Sequence, residues 1–168
     1  FENSHYQLQA SKGNIVQFLN QIYLSFVEFA KEGSYQYNFI SEQEEIMLYF
    51  DGYKLERVFY NLISNAFRYT PEGGKIEIKL QQQENSVLIE VSDSGIGIQE
   101  EYKSKIFDRF FEINPNTTHN KQYNKGTGIG LSIVRRIVDL HKGKVDVVSA
   151  GENKGTSFLV KLLLGKSH

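Results

Sequence analysis

Hydrophobic residues recur at helical spacing in three segments of the chain. Residues 22–33 repeat an apolar side chain every three or four positions and end at a glycine. Residues 52–69 carry a wider apolar stripe, which follows the capping candidate Asp51 and is ended by a proline and two glycines. A third segment begins at the glycine-rich turn 126–130 and continues to about residue 141. The pattern therefore predicts three helices, together with a short strand or helix start at residues 15–19 and a helical patch after Gly97.

Shorter segments alternate polar and apolar residues or run apolar, as strands do. They are residues 35–40, 46–50, 75–80, 87–91, 144–149 and 157–164. Strands and helices interleaved in this order favour an α+β fold, a two-layer sandwich in which one mixed sheet is covered on one face by helices. Residues 112–125 contain only Ile113 and Tyr123 as large apolar groups, which predicts a mobile surface loop.

Composition restricts the classes of function. The 168 residues are 40% hydrophobic, which suits one soluble domain with a core of its own. Lys and Arg number 19 against 20 Asp and Glu, so the formal net charge of -1 favours neither nucleic acid nor an anionic membrane as a partner. The absence of cysteine excludes disulfides and cysteine-ligated zinc. No apolar run approaches the roughly 20 residues that cross a bilayer.

Three polar side chains share one face of the second predicted helix. At about 100° per residue, Asn61, Asn65 and Arg68 fall within roughly 60° of one another, away from the apolar stripe. An amide oxygen is a hard ligand that suits Mg²⁺, and a guanidinium can hold two phosphate oxygens. The set therefore suits a metal-bound polyphosphate, although on its own a solvated helix face is the simpler interpretation.

An acidic residue and two glycines follow the predicted strand 87–91. Glycines in the run Asp93-Ser94-Gly95-Ile96-Gly97 permit unusual backbone angles and the close approach of a flat ligand. The Asp93 carboxylate at the strand end can accept a hydrogen bond from an exocyclic amine such as that of adenine. The alternative is an ordinary turn that uses glycine for its geometry.

A second glycine-rich turn, Gly126-Thr127-Gly128-Ile129-Gly130-Leu131, leads into the third predicted helix. Free N–H groups and the helix dipole at such a start favour an anion, usually phosphate. The turn lacks the Gly-Lys-Ser/Thr ending of a phosphate-binding loop and does not match the dinucleotide fingerprint. Gly155-Thr156-Ser157-Phe158 forms another turn, whose Thr156 hydroxyl could reach a ligand held by Asp93.

The order and spacing of these segments are more specific than any one of them. Residues 61–71, 93–98, 106–111, 126–131 and 155–158 closely resemble the successive sequence boxes of histidine-kinase catalytic domains. The sequence of the first is Asn-Leu-Ile-Ser-Asn-Ala-Phe-Arg-Tyr-Thr-Pro and that of the third is Ile-Phe-Asp-Arg-Phe-Phe. Those domains belong to the superfamily of gyrase, chaperone, kinase and MutL ATPases. The resemblance covers nearly the whole chain and implies a sandwich with ATP bound between the helices and a flexible lid.

The resemblance also implies roles for individual residues, with ATP and Mg²⁺ as the ligands. Asn65 would bind Mg²⁺, Asn61 would help to hold metal or phosphate, and Arg68 with Tyr69 would line the phosphate and ribose region. The adenine amine would be received by Asp93. The other residues of the implied nucleotide site are Gly95, Gly97, Ile98, Phe107, Phe110, Lys125, Gly126, Thr127, Gly128, Gly130, Leu131 and Thr156.

Within this second group, several roles are distinct. Gly95 and Gly97 would make room for the base, and Thr156 would support the adenine contact. Phe107 and Phe110 would anchor one end of the lid. The glycines at 126–130 would form the hinge and the phosphate cradle. Lys121 and Lys125 would lie in the lid, within reach of the γ-phosphate.

Asn61 separates the branches of this superfamily. Members that hydrolyse ATP carry a Glu four residues before the metal-binding Asn, where it activates water. An amide cannot take that proton at neutral pH, so slow hydrolysis and phosphoryl transfer to a histidine are expected. The alternatives are a nucleotide-binding pseudo-kinase or regulatory module, a hydrolysing ATPase clamp, and a serine kinase of the anti-sigma type.

None of the four histidines has the sequence context of a phosphoacceptor in this family. His5, His119, His141 and His168 are therefore expected to be non-catalytic. The implied partners are dimerisation and phosphoacceptor helices upstream in the same parent protein and a response-regulator receiver domain downstream. The isolated domain is expected to be monomeric and cytoplasmic, without contact to nucleic acid or membrane, and the parent protein is expected to be an inner-membrane sensor.

The domain boundaries follow from the same comparison. Residues 1–13 are predicted to be a linker from the upstream domain, residues 14–165 the ATP-binding domain, and residues 166–168 the start of a further linker. The ending of the chain resembles the junction that precedes further domains in hybrid two-component sensors.

Overall fold

The computed structural model describes residues 7–108, 130–151 and 153–165. Twelve elements are found in this part of the chain. In order they are β1 (Ser11–Asn14), α1 (Ile15–Leu24), α2 (Val27–Glu32), β2 (Gln36–Ser41), β3 (Met47–Phe50), α3 (Gly52–Arg68), β4 (Lys75–Gln82), β5 (Ser86–Asp93), a 3₁₀ helix (Glu100–Tyr102), α4 (Gly130–Leu140), β6 (Lys144–Val148) and β7 (Thr156–Leu163). The predicted loop at 112–125 lies outside the described residues.

The main sheet has five strands in the order β2-β4-β5-β7-β6. β2 pairs with β4 in parallel, and the other neighbours are antiparallel, so the sheet is mixed. Along β7 every second residue from Thr156 to Leu162 is buried, while Lys161 is exposed on the opposite face. The alternation has the period of two that a sheet covered on one face requires.

Helices α1, α3 and α4 pack on the covered face of that sheet, where they contact β2, β5 and β6 respectively. The core lies in this layer. Its largest fully buried side chains include Phe26, Phe59, Phe67, Ile76 and Ile89. The predicted α+β sandwich with a mixed sheet and helices on one face is therefore confirmed.

The central helix α3 follows its sequence pattern closely. The Asp51 side chain accepts a hydrogen bond from the Lys54 N–H at 3.1 Å, which satisfies one of the free donors of the first turn. All seven members of the apolar stripe are buried, and these are Leu55, Val58, Phe59, Leu62, Ile63, Ala66 and Phe67. The helix ends at Arg68, one residue before the predicted end.

A second, two-stranded sheet was not predicted. β1 and β3 pair antiparallel, from Ser11 opposite Phe50 to Asn14 opposite Met47. The sequence of β1, Ser-Lys-Gly-Asn, has no hydrophobic alternation, so its extended form depends on the pairing with β3. Three residues of the segment predicted as linker therefore belong to a strand.

The region before β2 contains two helices, where the sequence predicts one helix at residues 22–33 and either a short strand or a helix start at residues 15–19. The helical pattern of residues 22–33 is broken between α1 and α2, where the backbone N–H of Ser25 bonds to the carbonyl of Ile22. The predicted cap at Gly33 holds, because α2 ends at Glu32. Phe26, at this break, is buried against Phe67 of α3 at a ring separation of 5.8 Å.

In the described part of the chain, no helix is both long and apolar enough to cross a membrane.

Candidate functional site

The Asp93 carboxylate lies at the end of β5, in the middle of the five-stranded sheet. Its neighbours across the ladder are Ile76 of β4 and Thr156 of β7. One carboxylate oxygen accepts a 2.8 Å hydrogen bond from the Gly95 N–H. Burial raises the pKa of Asp93 to about 6, against the N–H groups of Gly95 and Thr156 and the nearby Thr70 hydroxyl, which lower it. A carboxyl group perturbed by burial in this way is typical of a functional site.

The turn that follows Asp93 packs directly against the end of α3. The N–H of Ile96 donates to the carbonyl of Tyr69 at 3.1 Å. A Cβ on Gly95 would overlap the same Tyr69 carbonyl and would lie 2.9 Å from Oγ1 of Thr70. Only glycine therefore permits this close approach. It joins the C-terminal end of α3 to the residues around Asp93.

The turn is also held to the loop that precedes β7. Gly155 N–H donates to the Gly95 carbonyl at 3.1 Å, and Asn153 N–H donates to the Ile96 carbonyl at 2.5 Å. Gly97 has a φ of 76°, and a Cβ there would overlap the carbonyl of Gly151. The predicted residues Asp93, Gly95, Gly97, Ile98 and Thr156 thus lie in one connected cluster.

Ser149 organises the same cluster and was missed by the sequence analysis. Its buried hydroxyl accepts from the Ile98 N–H at 3.0 Å and donates to the Gly155 carbonyl at 2.7 Å. The Ser149 carbonyl in turn accepts a 2.7 Å hydrogen bond from the Lys103 ammonium group. No local motif marks this serine, because its partners are distant in sequence and become neighbours only in the folded sheet.

Thr70 is the other residue that the sequence analysis missed. It follows the end of α3 and is fully buried. Its carbonyl accepts a 2.8 Å hydrogen bond from the Tyr35 hydroxyl, which fixes the backbone. Its own hydroxyl oxygen is buried and makes no hydrogen bond to a described residue. Thr70 lies inside the segment 61–71 that carries the resemblance, but the sequence of that segment gives it no role.

The polar face of α3 has the arrangement that the helical period predicts. Asn61, Asn65 and Arg68 are all half-buried, between the apolar stripe and solvent. The Arg68 guanidinium lies over the Tyr69 ring, 5.9 Å from its centroid. Two amides and a guanidinium are therefore presented along one side of the helix.

The first residue of α4 meets this polar face. A Cβ on Gly130 would lie 3.2 Å from the amide oxygen of Asn61. The N-terminal end of α4, with its partial positive charge, is therefore placed beside Asn61. Leu131, the next residue, is half-buried against the core.

Phe107 is fixed between a helix and the sheet. Its ring makes an edge contact with Phe158 of β7 at 6.1 Å, and the Arg135 guanidinium of α4 lies 5.6 Å from the ring centroid. Ile106 beside it is buried. The predicted site residues Phe110, Lys125, Gly126, Thr127 and Gly128 lie outside the described residues, as does Lys121.

The donor groups limit the kind of metal this site could hold. Nowhere in residues 7–108, 130–151 and 153–165 do three His, Asp or Glu side chains gather as a metal-binding group. The polar face of α3 fits a metal ion that takes one or two amide oxygens from the protein and most of its other oxygen ligands from a bound small molecule. Mg²⁺ is bound in this way, because it keeps waters and phosphate oxygens in its coordination shell.

Comparisons with known proteins agree with this geometry. The family model described as histidine kinase-, DNA gyrase B-, and HSP90-like ATPase matches residues 50–166. Histidine kinase P4 of Formosa agariphila is 55% identical over 167 residues, which are 99% of this chain and 12% of that protein. The chain therefore spans only a small part of the length of this relative.

Solved structures give the same result for the fold. The catalytic domain of histidine kinase ThkA superposes with a TM-score of 0.81 at 30% identity, covering 93% of this chain and 98% of that one. ThkA in complex with the response regulator protein TrrA gives a TM-score of 0.78 at 28% identity, covering 94% of this chain and 42% of that one. The chain belongs to the family of histidine kinase-, DNA gyrase B- and HSP90-like ATPases, and it is a catalytic domain of the histidine-kinase type.

Proposed function

We propose that this chain binds Mg-ATP and donates its γ-phosphoryl group to a histidine on a separate dimerisation domain, as the first step of two-component signalling. The observation that carries the proposal is the placement of the buried Asp93 carboxylate beside the C-terminal end of α3, whose polar face bears Asn61, Asn65 and Arg68. A hydrogen-bond acceptor for the base and a set of phosphate and metal ligands would thus belong to one continuous site.

The Asp93 end of this site suits adenine. An ionised, largely buried carboxylate accepts a hydrogen bond from an exocyclic amine and would repel an oxo group at the same position. A Cβ on Gly95 would meet the Tyr69 carbonyl and a Cβ on Gly97 would meet the Gly151 carbonyl, so glycine lets the turn pack closely against the neighbouring backbone. The two glycines would serve the base site by fixing the turn that follows Asp93. Ile98 and Thr156 would complete the base site.

The α3 end of the site suits the phosphates. Asn65 would supply an amide oxygen to Mg²⁺, and Arg68 would contact phosphate oxygens in the fork geometry of a guanidinium. Asn61 would assist at the metal or the phosphates, next to the positive end of α4. Bound Mg²⁺ supplies charge neutralisation at the phosphate oxygens. Arg68 and the start of α4 would add to it from the protein side.

Asn61 favours transfer to an acceptor over hydrolysis. In transfer, the bond between the γ-phosphorus and the bridging oxygen breaks, a phosphorus–nitrogen bond forms to the imidazole, and ADP leaves. The incoming imidazole is itself a nucleophile, so the chain needs no base to activate water. An amide at position 61 is consistent with this division, because it cannot accept a proton at neutral pH.

The acceptor histidine would come from another part of the parent protein. His141 uses both ring nitrogens inside this domain, towards Asp51 and Ile137, and is not presented to a nucleotide at Asp93. Histidine kinase ThkA has been solved with the response regulator protein TrrA, and a receiver domain of that kind is the proposed next partner.

Calorimetric titration with ADP and with a non-hydrolysable ATP analogue, with and without Mg²⁺, tests nucleotide binding. We expect binding that strengthens with Mg²⁺ and weakens about tenfold or more in Asp93→Asn, a loss of about 1.4 kcal/mol. Asp139→Asn, an exposed aspartate on α4, is the matched control and should bind as the wild type does.

Phosphoryl transfer needs a second assay, in which a dimerisation domain with its acceptor histidine is supplied together with labelled ATP. Label should appear on that domain and be absent when Asn65→Ala is used. Nucleotide binding without transfer would favour a regulatory pseudo-kinase. Brisk release of phosphate without any acceptor would favour a hydrolysing ATPase and would contradict the role given to Asn61.

A further inference from the structure

The Thr70 hydroxyl is a buried polar group that makes no well-formed hydrogen bond to a described residue, although it lies close enough to Asp93 to lower the pKa of that carboxyl. The residue has no exposed surface, and its Oγ1 makes no contact in the described part of the chain that has both the distance and the angle of a hydrogen bond. Such a group costs stability unless it acquires a partner, so each instance calls for an explanation. The packing of Thr70 therefore does not by itself explain why a hydroxyl group stands at this position.

The position of the hydroxyl is well defined. The Thr70 carbonyl is bound by the Tyr35 hydroxyl at 2.8 Å, and its methyl group packs towards Gly74. These contacts direct Oγ1 to the Gly95 turn, where it lies 2.9 Å from the point a Cβ of Gly95 would occupy. The Gly95 N–H is itself 2.8 Å from the Asp93 carboxylate. The free hydroxyl and the carboxylate therefore face the same turn.

We propose that Thr70 is a positioning residue for purine recognition: its hydroxyl donates to the Asp93 carboxylate and holds that group ionised and aimed at the exocyclic amine. The inference rests on the proposed function, since it concerns the same base site.

The charge state of Asp93 supports this role. Burial raises its pKa to about 6, close enough to neutral that the loss of one donor alters its ionisation in the working range. The groups that lower this pKa among the described residues are two backbone N–H groups and the Thr70 hydroxyl, so Thr70 is the only side chain among them.

Within residues 7–108, 130–151 and 153–165, no charged group shares in that effect. The flanking strands carry Lys75 and Glu77 on β4, and Lys154 precedes β7, but none of these contributes to the shift at Asp93. The pH dependence of Asp93 therefore reports on hydrogen bonding and burial. A substitution at Thr70 that removes the hydroxyl changes the hydrogen bonding.

The test is the pH dependence of ADP affinity in the 168-residue chain, measured by calorimetry from about pH 5 to about pH 8.5 for the wild type, Thr70→Val and Thr70→Ser. Valine keeps the shape and removes the hydroxyl, whereas serine keeps the hydroxyl. In Thr70→Val the midpoint of the loss of affinity at low pH should move upward by about one pH unit. Thr70→Ser should keep the wild-type midpoint. The Asp93 carboxyl pKa, followed by carbon NMR in the same three proteins, should move in parallel.

The outcomes separate the two claims. An unchanged midpoint and an unchanged Asp93 pKa in a folded Thr70→Val would overturn the role of Thr70 while leaving nucleotide binding intact. A Thr70→Ser variant that behaves as Thr70→Val would overturn it equally. If the valine variant does not fold, Thr70→Ala replaces it under the same criteria. No binding of ADP by the wild type at any pH would instead contradict the proposed function.

Discussion

The backbone N–H of Asp51 donates a 3.0 Å hydrogen bond to Nε2 of His141, across 90 positions of sequence. The other ring nitrogen of His141 lies 2.9 Å from the carbonyl of Ile137. Since Nε2 accepts, Nδ1 carries the proton and donates, which fixes one neutral tautomer from the hydrogen-bond network. The contact ties the end of α4 to the start of α3.

Asp51 is also the point where the N-terminal segment meets α3. Its carboxylate accepts from the Gln9 N–H at 2.9 Å and from the Lys54 ammonium at 3.2 Å. Burial raises the pKa of Asp51, but the hydrogen bonds from Gln9 and Lys54 outweigh that effect and leave the pKa below its ordinary value. The segment before β1, α3 and α4 are thus joined through one residue.

His141 should make the domain less stable as pH falls. Burial lowers the pKa of His141 below 6.5, so the unfolded chain binds more protons than the folded one in this range. The stability that the neutral His141 side chain contributes is fully present above pH 6.5 and is lost as pH falls from 6.5 towards the folded-state pKa. His141→Ala should cost about 1–3 kcal/mol near pH 7.5, because the Asp51 N–H loses its acceptor. The difference from the wild type should shrink at low pH in urea unfolding curves.

His141→Gln is the matched control for this prediction. Its amide oxygen can accept a hydrogen bond but does not titrate, so the stability it restores should be independent of pH. Titration of Asp93 cancels in these differences, because every variant retains that residue. Parallel pH profiles in the wild type and both variants would show that His141 does not titrate on unfolding.

Asp93 should lower the free energy of unfolding at neutral pH while it supports nucleotide binding. Its folded-state pKa of about 6 lies above the ordinary 3.8, so stability falls as pH rises between these values and stays lower above them. Asp93→Asn should therefore raise the free energy of unfolding at pH 7.5, by at most about 3 kcal/mol, while ADP affinity falls. Asp139→Asn should leave both unchanged. A destabilised Asp93→Asn would contradict the cost assigned to the buried charge.

The fold was predictable where local pattern and tertiary packing agree. Helix α3 has a cap, an apolar stripe and a terminating turn, and each of these acts within a few residues of the chain. Strand β1 has no such pattern, because its four residues are extended through pairing with β3 and are at most half-buried. The break at Ser25 was hidden for a similar reason, since Phe26 keeps the helical spacing while it packs against Phe67.

Gly97 should tolerate no side chain. Gly97→Ala has to place a Cβ against the Gly151 carbonyl at a positive φ of 76°. Gly73 has a similar φ of 86° with nothing within 4 Å of its Cβ position. Gly73→Ala should therefore lower the free energy of unfolding by the backbone term alone, about 1 kcal/mol. Gly97→Ala should cost about 1–3 kcal/mol more and should weaken ADP binding, which Gly73→Ala leaves unchanged. If the two variants lose equal stability in thermal or urea unfolding, the close contact with Gly151 does not add to the cost of a side chain at position 97.

Ser149 should matter both for stability and for nucleotide binding. In Ser149→Ala the Ile98 N–H and the Gly155 carbonyl lose their shared partner, at a cost of about 1–3 kcal/mol. ADP should then bind more weakly, since the two segments beside Asp93 lose the connection through Ser149 and keep only their backbone hydrogen bonds. Ser41→Ala is the control, because that hydroxyl makes a surface hydrogen bond to the Gln43 carbonyl and should contribute little. Unchanged ADP affinity in Ser149→Ala would limit the serine to a structural role.

The site was predictable where one short segment carries its chemistry. Asp93, Gly95 and Gly97 stand in a single turn, and Asn61 and Asn65 stand one helical turn apart. Ser149 and Thr70 act on segments far from them in sequence, so their roles depend on distances that only the folded sheet defines. Gly130 belongs with them, since its closeness to Asn61 is a contact between two helices.

Asn61→Glu tests whether the missing base limits this domain to phosphoryl transfer. A carboxylate at this position could take a proton from water, so ATP hydrolysis without an acceptor domain should rise by at least about tenfold. The positive end of α4 beside residue 61 would stabilise the introduced charge. Asn61→Gln, which matches glutamate in length but remains an amide, is the control and should leave hydrolysis slow. If the glutamate and glutamine variants hydrolyse ATP equally slowly while both still bind ADP, position 61 is not where water would be activated, and the distinction from the hydrolysing ATPases lies elsewhere in the site.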